Sequence, residues 1–224
     1  MNFFKNKNEK TDKIDTVFIH IGKCGGSSVI EELNKKNIQF IEKHVDKVKF
    51  RKKKKYYIVI RNPISRFISG FNWRYKLVVE DGEQKDRFPG EREFLETFKN
   101  VNDLAENIYN EKGELVLNFR DDEFYVHHLK EDIDFYLGDL LKRCKKKHII
   151  GVLATETLRD DIKRYFDIEL TSHLKKNKKT NSLSSLALNN LITYLEKDFE
   201  CIERLNEMNV LTDIQYKKLS NKSF

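Results

Sequence analysis

One short segment, residues 17–28 with the sequence VFIHIGKCGGSS, restricts the possible fold more than any other part of the chain. Residues 17–21 are mostly β-branched or aromatic, which predicts a buried strand. The apolar run ends at Gly22, and apolar residues at helical spacing resume at Val29, so we expect a helix to begin near Ser27. The segment therefore predicts a strand, a tight glycine loop and the amino terminus of a helix.

A loop of this composition is suited to binding a phosphate or sulfate group. Its backbone N–H groups point in one direction, the helix dipole adds partial positive charge, and Lys23 adds a full one. Gly25 and Gly26 permit close approach because neither has a Cβ. Ser27 and Ser28 can cap the helix or donate their hydroxyls to the anion. The alternative is a plain strand-to-helix turn. A Walker A loop is excluded, because its lysine follows the glycines, whereas Lys23 precedes them.

A second pattern of this kind begins at residues 56–60, YYIVI, an apolar run that predicts another buried parallel strand. Pro63 suits the first turn of a helix, so we expect Arg61 at the carboxyl end of the strand and a helix over residues 64–79. Arg61 and Ser69, in the second helical turn, can then share one crevice and bind a second phosphate. Alternatively, Arg61 forms a surface ion pair and Ser69 is an ordinary helix residue.

The rest of the chain alternates between strand and helix patterns. Further strands are expected at residues 37–42 and 148–153, and further helices at 133–143, 156–166 and 183–208. Residues 81–112 are interpreted as a charged loop-plus-helix insertion, 115–122 as irregular and 171–181 as a polar loop. This order predicts an α/β protein, a three-layer P-loop-like fold with a central, mainly parallel sheet flanked by helices.

Length and cysteine content further restrict the number of domains and the cellular setting. The 224 residues suit one domain over residues 16–224, since no linker rich in Pro, Gly or Ser divides it. Residues 1–15 are polar and lysine-rich, which indicates a frayed tail and not a signal peptide, and no stretch is long enough for a membrane span. Three widely spaced cysteines, Cys24, Cys144 and Cys201, argue against disulfides and a zinc site and favour a reducing, cytoplasmic setting.

The formal net charge of +7 is distributed unevenly. Basic runs occupy residues 51–55, 142–147 and 175–179, and they are either solvated faces or surfaces that attract polyanionic ligands. No zinc-finger spacing, RNA-binding aromatic motif or basic heptad region is present, so nucleic acid is not specifically indicated.

Two motifs together resemble those of a known family. FIHIGKCGGSSVIEEL resembles the 5′-phosphosulfate loop of the membrane-type or carbohydrate sulfotransferases, and YYIVIRNPISRFISGF resembles their 3′-phosphate motif, R-[DN]-P-x-x-R-x-x-S. The later stretch TYLEKDFECIERL resembles the D-[FY]-x-x-I-x-x-L helix of many members. The resemblance is close over residues 17–75 and weak elsewhere. It departs from the family at Gly22, where proline is common, at Cys24, where Thr or Ser is common, and in lacking a Golgi-type anchor.

The resemblance implies an enzyme that uses 3′-phosphoadenosine 5′-phosphosulfate (PAPS), releases 3′-phosphoadenosine 5′-phosphate (PAP) and needs no metal. Arg61 and Ser69 would bind the 3′-phosphate. Lys23 would also neutralise charge on the leaving 5′-phosphate. The acceptor would be a hydroxyl, with a carbohydrate, and an anionic glycan in particular, favoured over a lipid, a small alcohol or a peptide tyrosine. The residues around the phosphosulfate would be Lys23, Cys24, Gly25, Gly26, Ser27 and Ser28.

A base must also take the proton of the acceptor hydroxyl. His44 ends the second predicted strand in an EKHV context that resembles the catalytic histidine of the uronyl 2-O-sulfotransferases, and imidazole accepts a proton near neutral pH. The alternatives are His127 and His128, a tandem that can line the acceptor cleft, and Glu156. Glu31 and Glu32 are weaker candidates.

Cys24 permits two interpretations. A thiol beside a lysine at a helix amino terminus is expected to have a lowered pKa and to be reactive. Alternatively, Cys24 is a small residue that replaces a hydroxyl of the family motif.

Two other functions remain as alternatives from the sequence. A P-loop nucleotide kinase or NTPase has the same strand, loop and helix, but would need a Walker A lysine and a magnesium carboxylate. A nonenzymatic polyanion-binding module would use the lysine runs, and its affinity would fall uniformly with salt.

Overall fold

The computed structural model describes residues 15–85, 87–121, 126–170 and 182–223. In these ranges, four parallel strands form one sheet in the order β2-β1-β3-β4, flanked by helices, so the predicted α/β class is confirmed. The strands are β1 (Thr16–His20), β2 (Ile41–Lys43), β3 (Lys55–Ile60) and β4 (Ile149–Ala154).

Nine α-helices occur in the described ranges. They are α1 (Gly26–Lys35), α2 (Pro63–Tyr75), α3 (Glu91–Glu96), α4 (Val101–Glu106), α5 (Ile133–Arg143), α6 (Leu158–Phe166), α7 (Ser185–Tyr194), α8 (Glu196–Glu207) and α9 (Asp213–Leu219). A π-helical turn, Lys76–Glu80, continues α2, and 3₁₀ turns at Lys146–His148 and Thr155–Thr157 precede β4 and α6. None of the described helices is both long and apolar enough to cross a membrane.

The sheet places the two sequence motifs side by side. β1 and β3 are its central strands, and their parallel register pairs His20 with Val59. Both strands end at the same edge of the sheet, where one continues into the glycine loop and the other into Arg61. We call this side the carboxyl edge and the opposite side, where β3 and β4 begin, the amino edge.

The apolar core consists of two clusters. One packs the sheet against α1, α5, α6 and α8, and the other packs α2 against α3, α4 and α7. Because α2 follows β3 directly, it carries the chain from the first cluster into the second. Its amino-terminal turn therefore lies beside the carboxyl edge.

Several predicted boundaries were wrong. The predicted helix over residues 183–208 is two helices, because Leu195 leaves helical geometry (φ −91°, ψ 15°) and the Tyr194 carbonyl accepts a hydrogen bond from Arg120 at 3.2 Å. α7 packs against α4, in the cluster around α2, and α8 packs against α5, in the cluster around the sheet. The strand predicted at residues 37–42 begins only at Ile41, after Asn37 in left-handed geometry (φ 54°).

Other boundaries moved less, and one helix was missed. The helix predicted at residues 156–166 begins as a 3₁₀ turn, and the insertion contains two short helices, α3 and α4. No prediction was made for α9, although Thr212 and Gln215 form a capping box at its start. Residues 1–14 of the predicted tail, the loop at 171–181 and the basic run at 175–179 lie outside the described residues.

Candidate functional site

The glycine loop connects β1 to α1 in a strained backbone conformation. Lys23 and Gly25 both have positive φ, 69° and 80°, and Gly25 is the residue before α1. Among the described residues, no side chain caps the amino terminus of this ten-residue helix, and its first turn contains no acidic residue. The first N–H groups of α1 therefore remain available to an anion, and the helix dipole makes this end electropositive.

Two glycines of the loop are required by neighbouring imidazole rings. A Cβ on Gly26 would overlap the His20 ring, and a Cβ on Gly22 would lie 2.7 Å from Nδ1 of His128. The loop is thus packed tightly against side chains of β1 and of the turn before α5. His20 was not singled out in the sequence, where it is the one polar residue in an apolar strand.

Lys23 connects the loop to α2. Its Nζ lies 4.4 Å from the ring centroid of Trp73, a cation–π contact. Trp73 lies four residues after Ser69 on α2, so the two residues share one helix face, and both are half-buried. The lysine of the first motif is therefore directed towards the helix face that carries the serine of the second.

Arg61 meets the loop from the end of β3. Its Nη1 donates to the Lys23 carbonyl over 3.4 Å, and the side chain is half-buried. The Thr155 hydroxyl, at the end of β4, lies 2.8 Å from the Cys24 carbonyl and 3.2 Å from the Ile60 carbonyl. The ends of three adjacent strands are thus linked by hydrogen bonds at one place. Arg61 directly follows β3, as predicted, and its side chain contacts the glycine loop.

Arg66 was not proposed as a site residue, although it belongs to the second motif. Its side chain is only 1% exposed and lies beneath the loop, where Nε donates to the Gly22 carbonyl over 3.0 Å and Nη2 donates to the Glu131 carbonyl. Among the described residues, no carboxylate forms an ion pair with it, whereas the equally buried Arg74 is paired with Glu91 at 2.5 Å. A buried charge without a counterion is costly, so this arrangement favours an anion at the loop.

Glu156 supports the start of α2. Its Oε1 accepts the Asn62 N–H at 3.0 Å, while Asn62 caps α2 by accepting the Ser65 N–H at 3.1 Å. Burial raises the pKa of Glu156, and its buried Oε2 has no hydrogen-bond partner. This alternative base lies at the carboxyl edge but already accepts a backbone hydrogen bond.

His44 follows β2 at the same edge. Its Nδ1 donates to the His20 carbonyl over 2.9 Å, and the two imidazole rings stack with centroids 4.1 Å apart. Because a carbonyl only accepts, Nδ1 carries the proton, and Nε2 of neutral His44 is the basic atom. The next residue is held as well, since the Val45 N–H donates to the Tyr136 hydroxyl over 3.3 Å. The ring is exposed and its tautomer is fixed, as a general base requires.

His20 supports this arrangement from within the sheet. Its Nδ1 donates to Glu42 Oε1 over 3.0 Å, and its ring lies between Gly26 and His44. Burial lowers the pKa of His20, although Glu42 opposes the shift. A neutral His20 therefore links the glycine loop to the candidate base.

His127 and His128 also lie near the glycine loop, but their surroundings differ from those of His44. The His128 N–H donates to Glu131 Oε2 over 2.8 Å, and His127 Nδ1 lies 3.2 Å from the same oxygen. Burial strongly lowers the pKa of His128, with further contributions from His127, Arg66 and Lys23, so this ring is neutral. Its Nδ1 is buried against Gly22 and has no hydrogen-bond partner in the described part of the chain, in contrast to the exposed ring of His44.

Ligand atoms of His127, His128 and Glu131 lie within 4.8 Å of one another, as in a metal site. However, Glu131 Oε2 already accepts the His128 backbone N–H at 2.8 Å and lies 3.2 Å from His127 Nδ1. The nearby cations Arg66 and Lys23 also disfavour a divalent ion. These contacts favour a local hydrogen-bonded cluster over a metal site.

Of the two interpretations of Cys24, the reactive thiol with a lowered pKa is wrong, and the small residue that replaces a hydroxyl remains. Its side chain is fully buried, with Sγ 3.7 Å from the Gly22 carbonyl, and burial raises the pKa of the thiol to about 12. A helix dipole and a nearby lysine lower a thiol pKa only where the thiolate is solvated or paired. The Cys24 backbone is occupied as well, because its N–H donates to the Ile21 carbonyl over 3.3 Å and its carbonyl accepts from the Thr155 hydroxyl.

The other predicted residues are divided between the loop and the far side of α1. Ser27 is exposed and Ser28 half-buried in the first turn of α1, where neither caps the helix. Glu31 and Glu32 both form ion pairs with Lys35 at 2.9 Å, near the end of α1. None of the predicted site residues lines the groove of about 700 Å³ between α5 and α8.

Comparisons of the chain with protein-family models, with curated proteins and with solved structures find no match. The functional assignment therefore depends on the two motifs and on the geometry of the carboxyl edge.

Proposed function

We propose that the chain is a sulfotransferase that moves a sulfuryl group from PAPS to an acceptor hydroxyl and releases PAP. The observation that carries the proposal is the convergence of positive groups at the carboxyl edge. Lys23, Arg61 and Arg66 meet there beside the uncapped start of α1, and Arg66 is buried without a described carboxylate partner. Such a site favours a ligand with more than one anionic group.

The residues divide between the two ends of the donor nucleotide. The N–H groups at the start of α1, with Ser27 and Ser28, would bind the 5′-phosphosulfate, and Arg61 with Ser69 the 3′-phosphate. PAPS supplies an activated sulfuryl group whose leaving group is the 5′-phosphate of PAP. Lys23 would move from Trp73 to that phosphate and neutralise its developing charge.

His44 takes the proton of the acceptor hydroxyl at Nε2 in this proposal. Its Nδ1–H bond to the His20 carbonyl keeps Nε2 unprotonated in the neutral ring. The stack on His20 fixes the ring plane near the loop, so that orientation contributes to rate as well as basicity.

The acceptor class and the setting are less closely tied to the site. We propose a hydroxyl of a carbohydrate, with an anionic glycan as the first candidate, because of the motif resemblance and the abundant basic side chains. A reducing, cytoplasmic setting fits the three cysteines, all of which are buried free thiols.

Calorimetric titration with PAP tests the proposal. We expect tight binding that does not change when magnesium is added or chelated, and weaker binding of ATP. A preference for ATP with magnesium would contradict the proposal and favour a P-loop kinase or NTPase. The acceptor would then be sought by incubating the protein with PAPS and a panel of glycans and metabolites, with an added sulfonate detected by mass spectrometry.

A further inference from the structure

The fold brings two basic runs together at the amino edge, on the opposite side of the sheet from the glycine loop. Residues 51–55 lead into β3, residues 145–148 lead into β4, and Tyr56 pairs with Ile149 at the start of the two strands. Lys55 Nζ donates to the Lys147 carbonyl over 2.6 Å. The ring of Phe50 also packs edge-on against His148 at 4.9 Å. The runs therefore form one surface.

We define the amino-edge patch as residues 51–53, 55 and 145–147, all of which are lysine or arginine and all exposed. None of these seven side chains forms an ion pair with a described residue. Several cations elsewhere on the surface differ, since Lys35, Lys43 and Lys163 each pair with a neighbouring carboxylate. Lys54, within the first run, is buried and lies 4.0 Å from Asp15. Accumulated like charge that the protein does not neutralise favours an anionic partner.

The residue types of the patch favour one class of anionic partner over the others. Six of its seven residues are lysines, which act as point charges, whereas arginine is preferred for bidentate recognition of individual phosphates. The neighbouring ring of Phe50 is half-buried and packs against the apolar core, so it is not presented outward as a platform for base stacking. Ile150, the second residue of β4, is 38% exposed and adds an apolar group next to the lysines. Lysines with an adjacent exposed apolar residue are suited to an anionic lipid surface.

We infer that the amino-edge patch adsorbs to a membrane surface rich in anionic phospholipid. Adsorption through this edge leaves the carboxyl edge, with Lys23, Arg61 and His44, directed away from the lipid and open to its ligands. The attraction is electrostatic and weakens as salt rises. This inference does not depend on the sulfotransferase proposal, because no residue of the patch belongs to the candidate site.

Co-sedimentation of the full chain with vesicles tests the inference. We expect binding to vesicles that contain phosphatidylserine and little binding to phosphatidylcholine alone. A patch variant combines Lys52→Gln, Lys53→Gln and Lys146→Gln. A control variant combines Lys99→Gln, Lys112→Gln and Lys217→Gln, which are exposed, lie outside the patch and remove the same net charge. The patch variant should lose vesicle partitioning by on the order of 100-fold, since each lysine near the surface contributes about fivefold.

The control variant should partition like the unmodified protein, and both variants should keep its thermal unfolding midpoint. Equal losses of vesicle binding in the two variants would overturn the inference, because binding would then depend on net charge and not on the patch. Equal binding to neutral and anionic vesicles would also overturn it. Tight, patch-dependent binding to duplex RNA or DNA without vesicle binding would overturn the inference and identify a nucleic acid as the partner. None of these outcomes depends on PAP or PAPS, so they are separate from the test of the proposed activity.

Discussion

At the carboxyl edge of the sheet the basic side chains are few and held by specific contacts, whereas at the amino edge they are many and exposed. Lys23 lies on Trp73, and Arg61 and Arg66 donate to carbonyls of the glycine loop. The residues of the amino-edge patch have no described ion pairs. Positioned charges can distinguish the phosphates of one ligand, while accumulated charges act through the total potential. The same kind of substitution should therefore have different consequences at the two edges.

Replacing the candidate base should have the largest effect at the carboxyl edge. His44→Ala removes Nε2, and loss of a general base typically lowers turnover by about 10²- to 10⁴-fold. PAP affinity should stay the same, because His44 is not expected to bind the nucleotide. Turnover is measured with the acceptor from the sulfonation screen, and His127→Ala is the matched control. Full turnover of His44→Ala together with loss in His127→Ala would move the base to the tandem.

A buried acid behind the loop should make the stability of this edge depend on pH. Burial raises the pKa of Asp198 to about 8, with Asp132 adding to the shift. Above the ordinary pKa of an aspartate, about 4, only the folded state keeps the proton, so the free energy of unfolding falls as pH rises towards 8. The loss is at most about 1.4 kcal/mol per pH unit and stops above pH 8.

Asp198→Asn should remove most of this dependence. Its side-chain oxygen can still accept the Asp134 N–H, which Asp198 Oδ1 accepts at 2.9 Å. Urea unfolding at pH 5 and pH 8 should therefore give closer stabilities for the variant than for the unmodified protein. Glu156→Gln is a control at another acid whose pKa is raised by burial. An unchanged slope in Asp198→Asn would show that Asp198 is ionised in the folded state.

One matched pair of substitutions compares the two edges directly. Arg61→Ala should weaken PAP binding by about 100-fold, because a charge-assisted contact to a phosphate contributes about 1.5–3 kcal/mol. Arg51→Ala makes the same change in the amino-edge patch and should leave PAP affinity unchanged. Calorimetry with adenosine 5′-phosphate, which lacks the 3′-phosphate, distinguishes the two ends of the nucleotide. If Arg61 binds only the 3′-phosphate, Arg61→Ala should not change the affinity for this ligand. Equal losses for both nucleotides would place Arg61 at the 5′ end instead.

The two edges also differ in what the sequence revealed. Strands β1, β3 and β4 and helix α5 were predicted within about two residues, because their apolar patterns reflect burial directly. The basic runs were visible, but their meeting through Lys55 and Lys147 depends on strand register, which no local pattern encodes. At the carboxyl edge, the roles of Arg66 and His20 were missed for the same reason. Their partners are a loop carbonyl and a helix glycine reached through the fold.

Long-range burial also explains the error at Cys24. Its neighbours in the sequence predict a lowered pKa, but the direction of its side chain into the core determines the observed shift. The break at Leu195 is similar, because the Arg120 side chain that donates to the Tyr194 carbonyl is distant in sequence. Local patterns predicted most of the elements and placed the two motifs at the ends of β1 and β3, but they did not predict the contacts that connect them.

Crowding at the loop should be detectable as a loss of stability. Gly26→Ala places a Cβ into the His20 ring, and overpacking of this kind typically costs about 1–3 kcal/mol. Chemical denaturation measures the change in the free energy of unfolding. His20→Ala in the same chain creates room for the new methyl group, so the double variant should lose less than the sum of the single losses. Additive losses would mean that His20 and the loop do not pack together.

The smallest effect should be spectroscopic, at the contact between Lys23 and the indole of Trp73. Trp73 is the single tryptophan of the chain, so the intrinsic tryptophan emission reports on this site alone. If PAP draws the Lys23 ammonium from the ring to its 5′-phosphate, the emission should shift as PAP is added. In Lys23→Met the ligand-induced shift should largely disappear.

Trp73→Phe weakens the resting contact, which contributes about 0.5–1 kcal/mol at an exposed site, and should alter PAP affinity only severalfold. Titration of an amino-edge variant such as Lys146→Gln should give the unmodified emission change, because that lysine lies at the far edge of the sheet. Emission that stays constant while PAP binds would mean that Lys23 remains on Trp73 and that other groups hold the 5′-phosphate. The helix amino terminus and Arg61 would then have to neutralise the ligand without it.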